Sequence, residues 1–399
     1  MSGLLSNPNI MVITMPYKLY GIPSSLYVAK VRSYFRKQHI EFIEQGVNDP
    51  HFQQEIVPAV GRLIMPVVEA PDGTLLQDGA DIIDFFEAEG TSPLPAIPES
   101  SMLATIAYLF ELFGGEGLLR EAMHYRWSFD EQLDFIKNDF CCAIAPPDSD
   151  QESRDALFDL ASKSMRAAAR GFGVSEASAP LIEDSYKEFL TLFSAHLKTQ
   201  PYLLGGRPCV GDYGLLAPLY AHLGRDPVPA MLTRQSAPEV SRWVERMHAP
   251  EPIRVEYADN TAALNADDTI SDTLKALMVF IAKNYLPELE AHVAFCNDWL
   301  RNHQGITAGT NGLDNPAGRV IGKAEFEWRG ITLSTAVLPY RFYLLQRIQD
   351  CFARASESEQ QNIAALFSEV GLSSILTLKT DRRVERVNHL EVWGELRVD

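Results

Sequence analysis

The chain has 399 residues, of which 46% are hydrophobic and 22% charged, with a formal net charge of −18. A length beyond about 250–300 residues predicts more than one core, and the composition excludes a disordered or fibrous chain. The acidic excess excludes nucleic-acid and anionic-membrane partners, which require clustered Lys and Arg.

Met1 to Pro16 reads as a loose leader. It has neither a basic cluster nor an apolar core segment, so no secretory signal is expected and a cytoplasmic location follows by default. No run of about 18 apolar residues predicts a membrane span. Lys18-Leu19-Tyr20 reads as a strand, Leu26 to Gln38 as a helix entered through Pro23-Ser24-Ser25, and Ile40 to Ile43 as a second strand. Asn48 to Gly61 reads as a loop with a short irregular helix. Leu63 to Ala70 is a strand interrupted by Pro66, Pro71-Asp72-Gly73 a turn, and Thr74 to Leu76 the partner strand. Asp78-Gly79 opens a helix through Glu89. This order predicts an α/β domain over residues 17–90, with helices on a small sheet.

Gly90 to Ser101 is rich in Pro and Ser and reads as a linker. An all-helical bundle is expected over residues 101–252, with segments such as Met102 to Phe113, Arg154 to Arg170 and Leu181 to Leu197. A polar stretch, Glu256 to Asp268, separates an additional region, residues 268–399. That region reads as mainly helical, with Pro287 interrupting the first helical run and a β-hairpin around Arg329-Gly330. The five cysteines include no C-x-x-C, and the nine histidines no H-x-x-x-H. Reduced thiols and no metal site are expected.

Four constellations carry the functional reading. The first is Tyr20-Gly21-Ile22-Pro23-Ser24-Ser25, in which a strand ends at a hydroxyl that caps a helix. The second is Arg62-Leu63-Ile64-Met65-Pro66-Val67, where a proline opens an apolar strand. The third is Gln77-Asp78-Gly79-Ala80 at a helix start, and the fourth Cys209-Val210-Gly211-Asp212, a capping box. Together, in this order, they resemble the glutathione S-transferase superfamily over roughly residues 18 to 250. The resemblance implies a thioredoxin-like N-terminal domain, a helical C-terminal domain of the transferase type, and glutathione as co-substrate. It places Ser25 at the catalytic hydroxyl. Met65 and a cis Pro66 would hold the cysteinyl part of glutathione, and Asp78 the ammonium of its γ-glutamyl end, with Gly79 at the carboxylate and Arg62 as a further contact. Gly79 stands where the family usually has serine. The backbone donors remain while the hydroxyl is lost, which weakens binding by about 1 kcal/mol.

His124-Tyr125-Arg126-Trp127 falls where the resemblance puts the pocket for a second, electrophilic or apolar molecule; packing between helices is the alternative for these four. The superfamily is usually homodimeric. The leading expectation is an enzyme that conjugates glutathione to a small electrophile or runs a related glutathione-dependent reaction. The alternative is a non-catalytic binding or regulatory protein acting through the C-terminal extension. A reductase is disfavoured, because Ser25 replaces the cysteine it would need.

Overall fold

The computed structural model describes residues 15–397 except 147, 253, 254 and 260; most of the leader Met1 to Pro16 thus lies outside the described residues. Strand β1 (Tyr17–Gly21) leads into helix α1 (Leu26–Lys37) and parallel strand β2 (Phe42–Gly46). A π-helical turn, Phe52–Ile56, runs into the one-turn helix α2 (Val57–Val60). Strands β3 (Val67–Glu69) and β4 (Leu75–Gln77) form a hairpin, and helix α3 (Gly79–Ala88) follows. The sheet order is β2-β1-β3-β4, with β3 antiparallel to β1 and to β4. This is a thioredoxin-like sheet. Strand β3 is shorter than the expected Leu63 to Ala70, because pairing with β1 begins only after the cis bond between Met65 and Pro66. Proline gives no N–H to a ladder.

Eight helices follow: α4 (Ser101–Leu112), α5 (Leu119–Trp127), α6 (Leu133–Ile144), α7 (Gln151–Gly171), α8 (Ala179–Leu197), α9 (Val210–Ala221), α10 (Pro227–Ser236) and α11 (Pro238–His248). A π-helical turn over Phe113–Gly117 joins α4 to α5. The stretch Ser101–Trp127 is long and apolar enough to cross a membrane, yet 89% of its most apolar window is buried inside the protein. It is the central helix of the bundle. Helix α9 crosses it closely: a Cβ on Gly114 would meet the Leu215 backbone nitrogen at 2.3 Å. Helix α10 opens with Pro227 and Pro229. Both lie in its first turn, where a missing N–H costs nothing.

Asp212 anchors the bundle core as the capping-box residue. One carboxylate oxygen accepts from the Cys209 amide (2.9 Å), the other from the Leu203 amide (3.1 Å) and the Trp243 indole (3.3 Å). Burial pushes this carboxyl up to about 6 despite these donors and the Cys209 thiol (3.3 Å).

The C-terminal region contains helices α12 (Asp272–Asn284) and α13 (Leu286–Asn302) and strands β5 (Gly322–Trp328) and β6 (Ile331–Val337). Helices α14 (Pro339–Arg354) and α15 (Glu357–Glu369) and strands β7 (Arg382–Val387) and β8 (Leu390–Leu396) complete it. The expected hairpin turns at Arg329 and Gly330, both in the left-handed region (φ 48° and 83°). A second hairpin, β7–β8, was not foreseen. Its turn, Asn388-His389, adopts φ of 48° and 68° without a glycine, and its strands alternate Arg and Glu with apolar residues. The region is packed as core. Helix α14 lies along α4, α12 along α8, and one continuous apolar cluster runs from Leu19 through Leu109 to Trp393.

Candidate functional site

Ser25 is the N-cap of α1. Its Oγ accepts from the Val28 amide (3.4 Å), and among the described residues the hydroxyl proton has no acceptor. The helix start adds partial positive charge at the same point. Met65 and Pro66 stand beside it at the head of β3. Asp78 is strained into positive φ (88°) as the N-cap of α3. Its Oδ1 accepts from the Ala80 amide (2.8 Å) and from the Tyr340 hydroxyl of α14 (2.8 Å). Asp78 Oδ2 has no hydrogen bond among the described residues.

Gly79 is buried, and a Cβ there would meet Lys30 Cδ at 3.2 Å. Lys30 is held by Glu111 at 2.5 Å. A side chain at 79 thus requires a tied lysine to give by a few tenths of an ångström, a physical reason for glycine where the family pattern has serine. The Ala80 amide, a donor expected for the ligand, is already used by Asp78.

Ser25, Met65, Pro66 and Asp78, but not Gly79, open on one cavity of about 380 Å³, within the size range of small-molecule sites. Ser25, Met65, Pro66 and Asp78 line it from the first domain, and Met123, Arg126 and His222 from the bundle. Arg319, Leu338 and Tyr340 line it from the C-terminal region. Burial, reinforced by Arg126, pushes the His222 imidazole well below its usual range; Nδ1 donates to the Ala122 carbonyl (3.2 Å).

The other candidates are distributed differently. Arg62 does not line the cavity. It is buried in a bidentate pair with Glu391 of β8 (2.6 and 3.0 Å) and also donates to the His389 carbonyl (3.2 Å). Of the four consecutive residues His124 to Trp127, only Arg126 lines the cavity, since successive helical residues point about 100° apart. His124 pairs with Glu183 (3.3 Å), Tyr125 stacks on Phe129 (5.4 Å), and Trp127 packs against the guanidinium of Arg166 (5.3 Å). These three have the packing role.

The C-terminal region supplies the residues that sequence reasoning missed. On α3, Asp78, Asp81 and Asp84 recur every third residue and so share one face. On α14, Tyr340, Tyr343 and Arg347 share the facing stripe. Tyr340 donates to Asp78, Tyr343 to Asp81 (2.6 Å), and Arg347 binds Asp84 through both oxygens. Arg386 of β7 adds a bond to Asp81 (2.6 Å) and reaches the Gln77 carbonyl (3.3 Å). Burial, with Asp78 close by, pushes the Asp81 carboxyl up to about 6. The acidic stripe was readable in the sequence; its partner, some 260 residues later, carries no local signal.

Glu391 joins this cluster to the hairpin. Burial alone would raise its carboxyl. Hydrogen bonds from Arg62 and the charges of Arg319, Arg62 and Arg386 outweigh burial and hold it down to about 2. A carboxyl depressed in the folded state stabilises above its unfolded value, about 4.3, and loses that contribution as pH falls toward 2. Glu391→Gln is therefore expected to flatten the fall in urea midpoint between pH 4.5 and the acid limit. An unchanged slope in the variant would show that Glu391 is not held down by its arginines.

A thioredoxin-like domain followed by a helical bundle, with a capped hydroxyl and a cis proline on their shared cavity, defines the architecture of a two-domain transferase. The sequence comparisons agree: the N-terminal domain of glutathione S-transferase matches residues 19–93, and its C-terminal domain residues 146–251. The chain belongs to the glutathione S-transferase superfamily, with an extra C-terminal region carrying two hairpins. No curated protein matches it in sequence.

Similar solved structures include the glutathione transferase GSTFuA3 from Phanerochaete chrysosporium, at 13% identity and a TM-score of 0.42. That likeness covers 61% of this chain and 100% of that one. The β-etherase LigF from Sphingobium sp. strain SYK-6 is 16% identical, with a TM-score of 0.41, covering 62% of this chain and all of that one. A glutathione S-transferase from Methylobacterium radiotolerans, in complex with glutathione sulfonate, is 18% identical. Its TM-score is 0.35, over 65% of this chain and 99% of that one.

Proposed function

We propose that this protein binds glutathione in the cavity between its domains and transfers it to a small electrophile. The observation that supports this reading is the Ser25 hydroxyl. Its oxygen is engaged by α1, its proton has no acceptor among the described residues, and it opens on the same cavity as Met65, Pro66 and Asp78. A thiol must become a thiolate to attack. A hydrogen bond to a charged group contributes roughly 1.5–3 kcal/mol, so Ser25 would lower a bound thiol by about one to two pKa units. That brings a thiol of about 8.5 close to neutrality. Met65 would present its backbone to the cysteinyl part. Asp78 Oδ2 would receive the ammonium, because Oδ1 is already taken.

Titration of the full chain with millimolar glutathione, followed by an assay with an aryl halide, tests the reading. Ser25→Ala should leave glutathione affinity within about threefold and lower kcat about 10- to 100-fold. The bound thiolate absorbance should titrate one to two units higher. Absence of binding at millimolar glutathione would remove the enzyme reading. Unchanged activity in Ser25→Ala would remove Ser25 from its role.

The second reading, a non-catalytic binding protein acting through the extension, draws on Tyr340. Its hydroxyl occupies one of the two Asp78 oxygens that a γ-glutamyl ammonium would use. Binding of glutathione without turnover of any electrophile would favour that reading.

A further inference from the structure

Arg319 lies just before β5, in the C-terminal region, and lines the cavity with one third of its side chain exposed. Among the described residues it makes no hydrogen bond, and its Nε is sealed from solvent without a partner. Its guanidinium sits over the Tyr340 ring (5.7 Å), and the Tyr340 hydroxyl rests on Asp78, so Arg319 belongs to the Asp78 end of the cavity.

Among the described residues the nearby carboxylates take their hydrogen bonds from other donors, and Asp78 Oδ2 takes none. Glu391 balances the Arg319 charge at 3.7 Å without a hydrogen bond, and the Glu391 oxygens receive Arg62 (2.6 and 3.0 Å) and Arg386 (2.9 Å). Glu116 receives the Tyr27 hydroxyl (3.0 Å) and Arg341 (3.1 Å). Asp78 Oδ1 receives Ala80 and Tyr340. A guanidinium has five N–H donors in a fixed fork, and leaving buried donors unmade is costly. The rest of the cavity is dominated by apolar side chains such as Met123, Phe140, Met165 and Phe172.

We infer that Arg319 is the carboxylate anchor of this cavity, and that its ligand carries an anionic carboxylate on an otherwise apolar or thiol-bearing body. The C-terminal region thereby completes the site. If the ligand is glutathione, which rests on the reading above, Arg319 supplies in charge what Gly79 lacks as a hydroxyl. Arg126 also lines the cavity and its terminal nitrogens lack hydrogen bonds among the described residues, but its side chain is 2% exposed against one third for Arg319, so it presents less of its guanidinium to a ligand.

The test is calorimetric titration of the full chain with glutathione, with octanoate and with its neutral counterpart octanamide. Wild type should bind octanoate tighter than octanamide, and added salt should weaken only octanoate. Arg319→Gln should weaken octanoate and glutathione about tenfold or more and leave octanamide unchanged, with Arg319→Lys intermediate. Should Arg319→Gln fail to fold, Arg319→Lys and the salt dependence of the wild type provide the same readout. Octanoate discrimination without any glutathione binding would uphold the anchor and remove glutathione alone. Equal binding of octanoate and octanamide by wild type would overturn the proposal, as would wild-type affinities in Arg319→Gln.

Discussion

Arg341→Met is expected to lower stability by about 3–5 kcal/mol, because it leaves the buried Glu116 carboxylate without its hydrogen-bonded cation and Glu288 with Arg120 alone. Arg341 is fully buried on α14. Its Nε donates to Glu116 (3.1 Å) in the π-helical turn, and another guanidinium nitrogen to Glu288 (2.7 Å) on α13. The same nitrogen donates to His292 Nδ1 (3.1 Å), so that imidazole is neutral with its proton on Nε2, which faces Thr335 at 2.8 Å. Burial pushes the His292 imidazole down to about 3, and Arg341 pushes it the same way. Glu288 is held down to about 2: burial opposes this, but the charges of Arg120 and Arg341 outweigh it. Glu116 has only Arg341 and the Tyr27 hydroxyl as hydrogen-bond partners among the described residues. In the variant it must ionise unpaired or take a proton. Urea unfolding should show a lower midpoint at an unchanged slope. Adding Glu116→Gln should recover part of the loss, since the stranded charge disappears. A loss below about 1 kcal/mol would mean that water reaches the network.

A chain ending at Pro252 should fail to fold cooperatively. Residues 101–252 look self-sufficient in sequence, with their own linker, helices and capping box. In the structure, Leu274, Met278, Ile281, Leu289, Val337, Ile348, Ile363 and Phe367 are all 0% exposed and share one core cluster with α4 and α9. Truncation removes these side chains and uncovers the faces they cover. At roughly 1.5–3 kcal/mol per apolar side chain left exposed, uncovering several of their partners on the bundle is comparable with a typical net stability of about 5–15 kcal/mol. The cationic partners of Asp81, Asp84 and Glu116 go as well. Circular dichroism melts and size-exclusion chromatography check this. A soluble fragment with a sharp melting transition would show instead that the C-terminal region is an appended unit.

The distribution of successes along the chain has a physical basis. Elements with strong local grammar were legible: Ser25 as a helix cap, Pro66 as an interruption of the β3 strand, Asp212 as a capping-box residue, and Arg329-Gly330 as a hairpin turn; the cis bond at Pro66 came only with the family resemblance. Each depends on a backbone requirement that few residue types meet. The β7–β8 hairpin was not legible, because its Arg and Glu residues imitate a solvated segment.

For the site, the sequence by itself determined the hydroxyl at a helix start, the proline-led strand and the acid at the head of α3, because each is set within a few residues of chain. Only the tertiary structure decided what faces them. It turned Arg62 away to Glu391, selected Arg126 from four consecutive candidates, and brought Tyr340 onto Asp78 and Arg319 to the cavity wall. Helix phase decides which of several neighbours reaches a cavity. Contacts across some 260 residues depend on how α14 docks on α3 and α4, and no local pattern at Arg319 or Tyr340 records that docking.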